Sequence, residues 1–566
     1  MKKLLSLILA LSMILCLLAA CGGDSPSSAG TAPEVSADSA SAGDAAETAA
    51  SVAAPADPGD YSTYLQIAET EDADTIDPQV TTDYYTVGMN IFNRLVEVQA
   101  HDDGTSEIVP SLATDWTISD DGLTYTFTLA QGVKYSNGAD FTASDVYYTV
   151  KRMMTYDKAR NRDIYDMIVG AQDVADGKAD EISGIKVIDD YTVEITLNAP
   201  YAAFLACLTT PGASMYDEET TEAAGDQFGI DPAVTIGTGY FIFDSWELNN
   251  QMVLRANPDC WAGAPACNGV IIRIVPDEAT QRMMFESGQL DLLDLDNAPT
   301  QMEYFLSQPQ YESQIVSGQR VGISYIGLNE SYEPLSHVEV RQALQRSLDR
   351  QQILDALFSG QGMLENGIFP HGLIGYNPDL PAIPYDVEAA KQLMADAGYA
   401  DGFDLEFCYS SDAGQTTRDL AAICQNQWKA IGVNVILREI DDGSYLDMRK
   451  SGELQCYTAT WSADFNDPDN FIYTFFGTVD NSIYRGFNYL DESKISRVSG
   501  ARAIVDEEER VAEYQALEKE IFQDDAVWVP LYSKQHLYVV NPRVTGFKVS
   551  WNGWSSNYYQ NVGISA

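Results

Sequence analysis

Residues 461–470, WSADFNDPDN, set a tryptophan beside three carboxylates and contain no lysine or arginine. The carboxylates belong to Asp464, Asp467 and Asp469, and Trp461 precedes the first of them by three residues. A carboxylate that loses water needs a partner for its charge, so solvent, a catalytic proton, a metal ion or a cationic ligand has to balance this stretch. Paired carboxylates can also act as the acid and base of a hydrolase, which keeps an enzyme among the alternatives.

The segments before this stretch alternate between helix and strand patterns. Asp386 is placed as an N-cap, residues 387–397 have helical spacing, and Gly398 stands where a helix would end. The segments that follow are predicted as strand 403–409, helix 416–431, strand 433–437, helix 445–450 and strand 455–460. Strands that alternate with helices predict a largely parallel sheet covered on both faces.

This order places Asp464 just after strand 455–460, near the carboxyl end of a sheet strand. Ligand crevices in open α/β sheets form at that end. The position therefore favours a ligand partner for Asp464 over a surface turn. Two structural roles remain as alternatives to ligand binding: Trp461 can be a core residue, and Asp467 before Pro468 is typical of a turn.

Chain length and an earlier pattern indicate several mixed α/β lobes. Residues 125–129 and 191–197 alternate apolar and polar side chains, as half-buried strands do. The roughly 500 residues beyond residue 60 exceed what one hydrophobic core serves, so two or three lobes are expected.

The charge of the chain argues against some partners. With 33 basic and 84 acidic residues its formal net charge is −51, which argues against nucleic acid and against charge-driven binding to an anionic membrane. The four histidines, His101, His337, His371 and His536, are too far apart in the sequence for a local metal motif. No nucleophile motif or phosphate loop is present. We therefore predict a protein that is not an enzyme and has no cofactor or metal.

The amino terminus has the residue pattern of an export signal. Lys2 and Lys3 precede an apolar run over residues 4–18, followed by Ala19-Ala20-Cys21-Gly22. This order predicts a signal peptide over residues 1–20 and resembles a bacterial lipobox, in which the Cys21 thiol is acylated. The alternative is an ordinary signal peptide with an incidental cysteine. Residues 21–59 lack aromatic and basic side chains and predict a flexible, lipidated tether.

Export permits disulfides. Cys260 and Cys267 bracket a turn-rich hexapeptide that could close a bridge, and a bridge and two free thiols both stay open. The remaining cysteines are compatible with either pairing or burial; they are Cys207, Cys408, Cys424 and Cys456.

Several segments between residues 64 and 550 together resemble the solute-binding proteins of peptide and nickel ABC transporters. They are residues 113–129 (ATDWTISDDGLTYTFTL), 132–146 (GVKYSNGADFTASDV), 237–240 (GTGY), 276–280 (PDEAT), 340–344 (VRQAL), 348–350 (LDR) and 525–532 (DAVWVPLY). Each motif alone is weak, and their combination is specific.

The resemblance implies an α/β, two-lobed periplasmic-binding-protein-like fold of class II, with hinged lobes that close over the solute and an extra subdomain. Residues 60–108, 236–328 and 532–566 would form the N-terminal lobe. Residues 109–235 would form the accessory subdomain and residues 329–531 the C-terminal lobe.

The resemblance also implies a binding site. Asp464 matches the family's Trp-x-x-Asp aspartate, which pairs with the α-ammonium group of a peptide. Main chain around residues 461–465 and near residues 81–83 would bond to the peptide backbone, and Tyr325 would be a wall. The full candidate set is Trp461, Ser462, Ala463, Asp464, Phe465, Asn466, Thr81, Thr82, Asp83 and Tyr325. Residues 409–415 lack the arginine with which dipeptide-binding members hold the carboxylate.

The implied function is that of a lipid-anchored bacterial receptor outside the cytoplasm. It would capture peptides as a monomer, contact the membrane through its lipid, and deliver the peptide to ABC permease subunits that have their own ATPases. The alternatives are a receptor of the same fold for another solute, such as an oligosaccharide or a metal chelate, and a surface hydrolase.

Overall fold

The computed structural model describes residues 61–82, 84–101, 106–296, 299–551 and 556–565. The predicted signal peptide, the tether, Cys21 and Asp83 lie outside these residues. Among the described helices, none is long and apolar enough to cross a lipid bilayer.

The strands of the described chain fall into five sheets. In chain order they are β1 Leu65–Glu69, β2 Val96–Ala100, β3 Ser106–Pro110, β4 Ala113–Ile118, β5 Thr124–Leu129, β6 Ile185–Asp189, β7 Thr192–Thr196, β8 Phe241–Glu247, β9 Gln251–Ala256, β10 Gly269–Ile274, β11 Leu292–Asp294, β12 Ile315–Gln319, β13 Gly322–Leu328, β14 Gly362–Leu364, β15 Phe403–Ser410, β16 Val433–Ile440, β17 Cys456–Ser462, β18 Trp528–Val540, β19 Val544–Thr545 and β20 Gly563–Ile564.

The α-helices lie between and after these strands. They are α1 Thr86–Ile91, α2 Ala143–Thr155, α3 Ala171–Ala175, α4 Phe204–Cys207, α5 Glu218–Ala224, α6 Glu278–Glu286, α7 Pro299–Leu306, α8 Glu333–Ser336, α9 Val338–Arg346, α10 Arg350–Phe358, α11 Val387–Asp396, α12 Gln415–Trp428, α13 Asp442–Lys450, α14 Pro468–Phe476, α15 Val479–Tyr484, α16 Glu492–Ala501 and α17 Glu507–Glu518. Short 3₁₀ helices occupy Tyr61–Thr63, Arg162–Ile164, Pro211–Ala213, Gly225–Gln227, Pro309–Gln314 and Lys429–Ile431, and a π-helix occupies Lys519–Asp524.

Two four-stranded sheets belong to the first half of the chain. One has the order β1-β10-β9-β8, in which β1 and β10 are parallel. The other has the order β4-β5-β7-β6 and is antiparallel. Along β5 the side chains of Tyr125, Phe127 and Leu129 are buried, which confirms the predicted half-buried strand.

The largest sheet runs β11-β18-β13-β17-β15-β16. β15 is parallel to β16 and to β17, but β13 and β17, β13 and β18, and β11 and β18 are antiparallel pairs. The predicted strands β15, β16 and β17 do pair in parallel, but across the described part of this sheet two pairings are parallel and five are antiparallel, so the prediction of a largely parallel sheet is wrong for the sheet as a whole. A hydrophobic pattern reports burial and not strand direction, and the antiparallel strands come from segments on either side of the helix-strand repeats.

Strand β18 joins two parts of this sheet. Its first residues pair with β13 and β14, and its last residues pair with β11 and β12. A single strand of 13 residues thus carries the chain from one group of strands to the other.

The predicted elements around residues 386–462 are confirmed, with shifts of a few residues at their ends. The Asp386 carboxylate accepts a hydrogen bond from Ala389 N at 2.9 Å and caps α11, and Gly398 follows the helix with a φ of 86°. Helix α12 ends at Trp428, after which a 3₁₀ turn continues to Ile431. These signals are local in the chain, which explains why they could be predicted.

The possible bridge between Cys260 and Cys267 is not formed. Both cysteines are buried free thiols. The Cys267 thiol donates to the Gly269 carbonyl at 3.4 Å, and the Cys260 thiol lies 4.0 Å from the Thr238 carbonyl. Each thiol has its own backbone acceptor, so of the two alternatives left open by the sequence the structure has the two free thiols.

A buried carboxyl, Glu518, lies at the end of α17. Its Oε1 accepts hydrogen bonds from the backbone N–H groups of Ile368 and Phe369, at 2.9 and 2.8 Å. A Cβ on Gly367 would lie 2.2 Å from this oxygen, so glycine is needed for the close approach. Burial raises the pKa of Glu518 from 4.5 to about 8, against the lowering effect of the two N–H donors.

Glu518 should make the protein less stable as the pH rises. The folded chain keeps this proton up to a pH of about 8, whereas the unfolded chain releases it near 4.5. The stabilisation is therefore fully present below the unfolded value and is lost as the pH rises through the folded value. Glu518→Gln should flatten the fall in melting temperature between about pH 5 and pH 8, which thermal denaturation across this range measures. Glu508→Gln, at an exposed position of the same helix, is the control, and an unchanged slope in Glu518→Gln would contradict the assignment.

Candidate functional site

The site begins at the carboxyl end of β17. This strand extends to Ser462, two residues beyond the predicted end, and α14 begins at Pro468. Trp461 is half-buried: its ring lies 5.4 Å from that of Phe475, and its Nε1 donates to the Asn470 carbonyl at 3.1 Å. Both alternatives for Trp461 therefore hold in part, because one side of the ring packs on the core and another borders a cavity.

Two of the three carboxylates in residues 461–470 are neutralised from within the protein. Asp467 is buried and accepts two hydrogen bonds from the Arg510 guanidinium, both 2.8 Å long. It also caps α14 by accepting from Asp469 N at 2.9 Å, which is the predicted turn role. Asp469 is buried and pairs with Arg502 at 3.0 Å.

Asp464 differs from both. Its backbone N–H donates to the Asn470 side-chain oxygen at 2.9 Å, and the Asn470 amide donates back to the Asp464 carboxylate at 3.0 Å. No lysine or arginine of the described chain forms an ion pair with it, although the charge of Arg485 acts on it from a longer distance and works to lower its pKa. The carboxylate is open to the cavity but is surrounded by protein, and this burial, together with the charge of Asp163, raises its pKa.

Asp464 faces a cavity of about 580 Å³. Its walls come from three separate parts of the chain: the residue before α1, the segments around the 3₁₀ helix Arg162–Ile164 and around α4, and the region from β17 to α16. The side chains that line it include Tyr85, Asp163, Asp166, Tyr201, Trp461, Asp464, Phe465, Tyr473, Arg485 and Arg502.

A polar contact closes one side of this cavity. The Tyr201 hydroxyl donates to the Asp469 carboxylate at 2.8 Å. The Arg502 guanidinium lies 4.5 Å from the ring centroid of Tyr201 and 3.8 Å from that of Tyr473. Ala202 N donates to the Arg502 carbonyl at 3.2 Å. The segment before α4 is thus tied to the segment that holds Asp464.

The neighbours of Asp464 in the predicted set have different surroundings. Phe465 lines the cavity and packs on the core of the β4-β5-β7-β6 sheet. Ser462 lines a separate cavity of about 430 Å³, because successive strand residues face opposite sides. Ala463 is buried and donates its N–H to the Val321 carbonyl at 2.8 Å. Asn466 is buried, and its amide bonds to Gly372 O and Ile374 N.

Three further predicted residues lie away from the cavity. Tyr325 is not a wall: its ring is buried in the core and stacks on Trp528 with 4.1 Å between centroids. Thr81 is buried and Thr82 is exposed, and neither lines the cavity around Asp464. Tyr85, whose hydroxyl donates to the Thr81 carbonyl at 3.2 Å, lines it instead.

Sequence reasoning missed Asp163, Asp166, Tyr201, Arg485 and Arg502. They come from segments far from residues 461–470, and no motif links them. Asn470 was within the quoted stretch, and its position near the start of a helix was the one signal that could have suggested a partner for Asp464.

The main chain of β17 has one edge that is only partly paired. β13 pairs with the whole strand, from Cys456 to Ser462, whereas β15 pairs only at Cys456 and Tyr457. From Thr458 onward, no described strand covers the side that faces β15. An extended ligand can add to such an edge by backbone hydrogen bonds.

Comparison with known proteins gives consistent matches. Residues 107–482 match the family described as Bacterial extracellular solute-binding proteins, family 5 Middle. Heme-binding protein A of Haemophilus influenzae is 29% identical over 493 residues, covering 84% of this chain and 88% of that protein. The Dipeptide-binding protein of Escherichia coli is 28% identical over 498 residues, covering 85% of this chain and 90% of that protein.

A solved structure also matches over most of its length. It is the ABC transporter-associated periplasmic binding protein DppA from Helicobacter pylori in complex with peptide STSA, 27% identical, with a TM-score of 0.66, covering 88% of this chain and 98% of that chain. The predicted fold class, an α/β two-lobed periplasmic-binding-protein fold, is thereby confirmed.

Removing Arg510 should destabilise the protein strongly. Arg510→Met leaves the buried Asp467 carboxylate without its partner and should lower the free energy of unfolding by about 3–5 kcal/mol. Arg438→Met breaks an exposed pair with Glu406 and should cost under about 1 kcal/mol. Urea denaturation measures both, and equal losses in the two variants would show that Arg510 does not carry this role.

Proposed function

We propose that this chain, which belongs to the bacterial extracellular solute-binding proteins of family 5, is the receptor of an ABC importer that captures peptides and delivers them to a membrane permease. The members of this family bind solutes for transport. The chain itself is accordingly proposed to have no catalytic activity.

The observation that carries the proposal is the state of Asp464. It is the one carboxylate of residues 461–470 that faces the cavity without an ion pair in the described chain, while Asp467 and Asp469 pair with Arg510 and Arg502. Its hydrogen bond from Asn470 leaves further lone pairs of the carboxylate for a ligand. A cationic group that replaces water there would restore the balance of charge.

The ammonium terminus of a peptide fits this place better than a metal ion. No group of three or more His, Cys, Asp or Glu side chains in the described residues is arranged to hold a metal. An ammonium group needs one charged acceptor and a few neutral ones; Asp464 supplies the charged one, and the hydroxyl-bearing side chains of Tyr473 and Thr474 line the same cavity. The similarity of this chain to the Escherichia coli Dipeptide-binding protein and to the Helicobacter pylori protein solved in complex with a peptide supports the same ligand class.

Closure over the peptide follows from contacts made by both sides of the cavity. Asp464 and Trp461 belong to the proposed C-terminal lobe, residues 329–531, and Asp163 and Tyr201 to the proposed accessory subdomain, residues 109–235. A ligand that touches both sides stabilises the closed state relative to an open one. Residues 60–108, 236–328 and 532–566 are proposed to form the N-terminal lobe.

The remaining parts of the proposal concern the membrane. Cys21 is proposed as the site of lipidation after removal of a signal peptide at residues 1–20, with residues 21–59 as the tether. The receptor would act as a monomer and contact permease subunits, whose ATPases supply the energy.

The role of Asp464 can be tested with peptides from a synthetic di- to tetrapeptide library, taking the tightest binder. A charge-assisted bond contributes about 1.5–3 kcal/mol, so Asp464→Asn should weaken binding roughly 10- to 150-fold. Acetylating the peptide's amino terminus should weaken the wild type by a similar factor and the variant far less. Calorimetry with both proteins and both peptides completes the double cycle.

Recovered peptides should be intact by mass spectrometry, as a receptor requires. Asp480→Asn, in the first turn of α15, is the matched control and should bind like the wild type. Equal binding of free and acetylated peptide by the wild type would sink the ammonium role, and a library without any binder would remove peptides as the ligand.

The lipid anchor has a separate test. Cells that express the wild type should incorporate a fatty-acid probe into this protein, and Cys21→Ser should abolish the label because the thiol is the acylated group. Cys16→Ser, within the leader, should leave the label unchanged. A labelled Cys21→Ser protein would overturn the assignment of Cys21.

A further inference from the structure

Arg485 lines the same cavity as Asp464. It follows α15 directly, and its guanidinium lies over the rings of Trp461 and Phe475, 4.7 and 5.2 Å from their centroids. Contact with two aromatic rings restricts where the guanidinium can lie. The cavity therefore has a fixed cationic side as well as the anionic side at Asp464.

The guanidinium of Arg485 forms no ion pair in the part of the chain that the structure describes, and the charge of Asp464 reaches it only from a longer distance. Arg502, which also lines the cavity, pairs with Asp469, and Arg510 pairs with Asp467. Arg485 forms no such ion pair, and its side chain donates no hydrogen bond to a described residue. In a chain with 84 acidic and 33 basic residues, an arginine that lines a cavity and forms no ion pair with a carboxylate is unexpected.

A second arginine increases the need for an anion. Arg449 lies near Arg485, and its buried Nε has no hydrogen-bond partner among the described residues. Burial, and then the neighbouring charge of Arg449, lower the pKa of Arg485. Two close guanidinium groups that form no ion pair repel each other, and an anion in direct contact with Arg485 would relieve this repulsion.

We propose that Arg485 binds a carboxylate of the ligand, so that the cavity takes a zwitterion with its ammonium group on Asp464 and its carboxylate on Arg485. This inference rests on the proposed function and narrows its ligand class to short peptides with a free carboxyl terminus. Planar guanidinium and carboxylate groups match each other by two parallel hydrogen bonds. The cavity of about 580 Å³ is in the range of about 300–1,000 Å³ that small ligands occupy.

A carboxylate partner at Arg485 also accounts for the arginine that residues 409–415 lack. Residues 409–415 contain no arginine, and the carboxylate partner would come from the end of α15 instead. In that position it is on the same side of the cavity as Trp461, and both ends of the ligand would be held by residues 461–485.

The test compares free and carboxyl-amidated forms of the tightest-binding library peptide by calorimetry. Amidation removes the negative charge and should weaken wild-type binding roughly 10- to 150-fold, the loss expected for a charge-assisted pair. In Arg485→Gln the free peptide should bind as weakly as the amide, and amidation should change affinity by less than about threefold. Arg485→Lys keeps the charge without the planar fork and should recover part of the loss.

Arg438→Gln removes an exposed arginine that pairs with Glu406 and should show the full wild-type effect of amidation. Wild-type protein that binds free and amidated peptide equally overturns the proposal without any variant. If amidation has no effect while acetylation still does, the carboxylate role of Arg485 fails and the peptide function stands. If no library peptide binds at all, both fail.

Discussion

The need to neutralise three neighbouring carboxylates is the constraint on which the site depends. Asp467 and Asp469 are buried and would be costly without Arg510 and Arg502. Because these arginines come from α17 and from the residue after α16, their ion pairs hold the start of α14 against those helices. The same arrangement positions Asn470 beside Asp464. Two paired carboxylates thus support the one that stays open to the cavity.

The Asp469 and Arg502 pair also connects the two sides of the cavity. Tyr201 donates to Asp469 and lies against the Arg502 guanidinium, so a segment near residue 201 is held by the group that supports Asp464. Buried polar contacts of this kind depend on geometry, since each partner left alone is penalised. A motion that opens the cavity here would expose both Asp469 and Arg502 to water. Hydration of these two charged groups would offset part of the free energy that is lost when their contacts break.

Charge is also the reason for proposing a small zwitterion, and not a simple cation, as the ligand. Asp163, Asp166 and Asp464 give it an acidic side, whereas Arg485 stands over Trp461 on the other. The chain has 84 acidic and only 33 basic residues, so a guanidinium that forms no ion pair is the informative feature. The aromatic rings beneath it reduce the conformational freedom that a ligand would otherwise have to remove.

The sequence by itself determined the local elements of residues 386–462 and the position of Asp464 after a strand, because caps, glycine stops and apolar periodicity act over a few residues. It also indicated the family and hence the two-lobed fold. Tertiary structure alone decided which carboxylate is open, since Arg502 and Arg510 approach from more than 30 residues away. It likewise decided strand direction in the large sheet, the burial of Tyr325, the free thiols of Cys260 and Cys267, and the place of Arg485. Such pairings depend on distances through space, and no spacing along the chain encodes them.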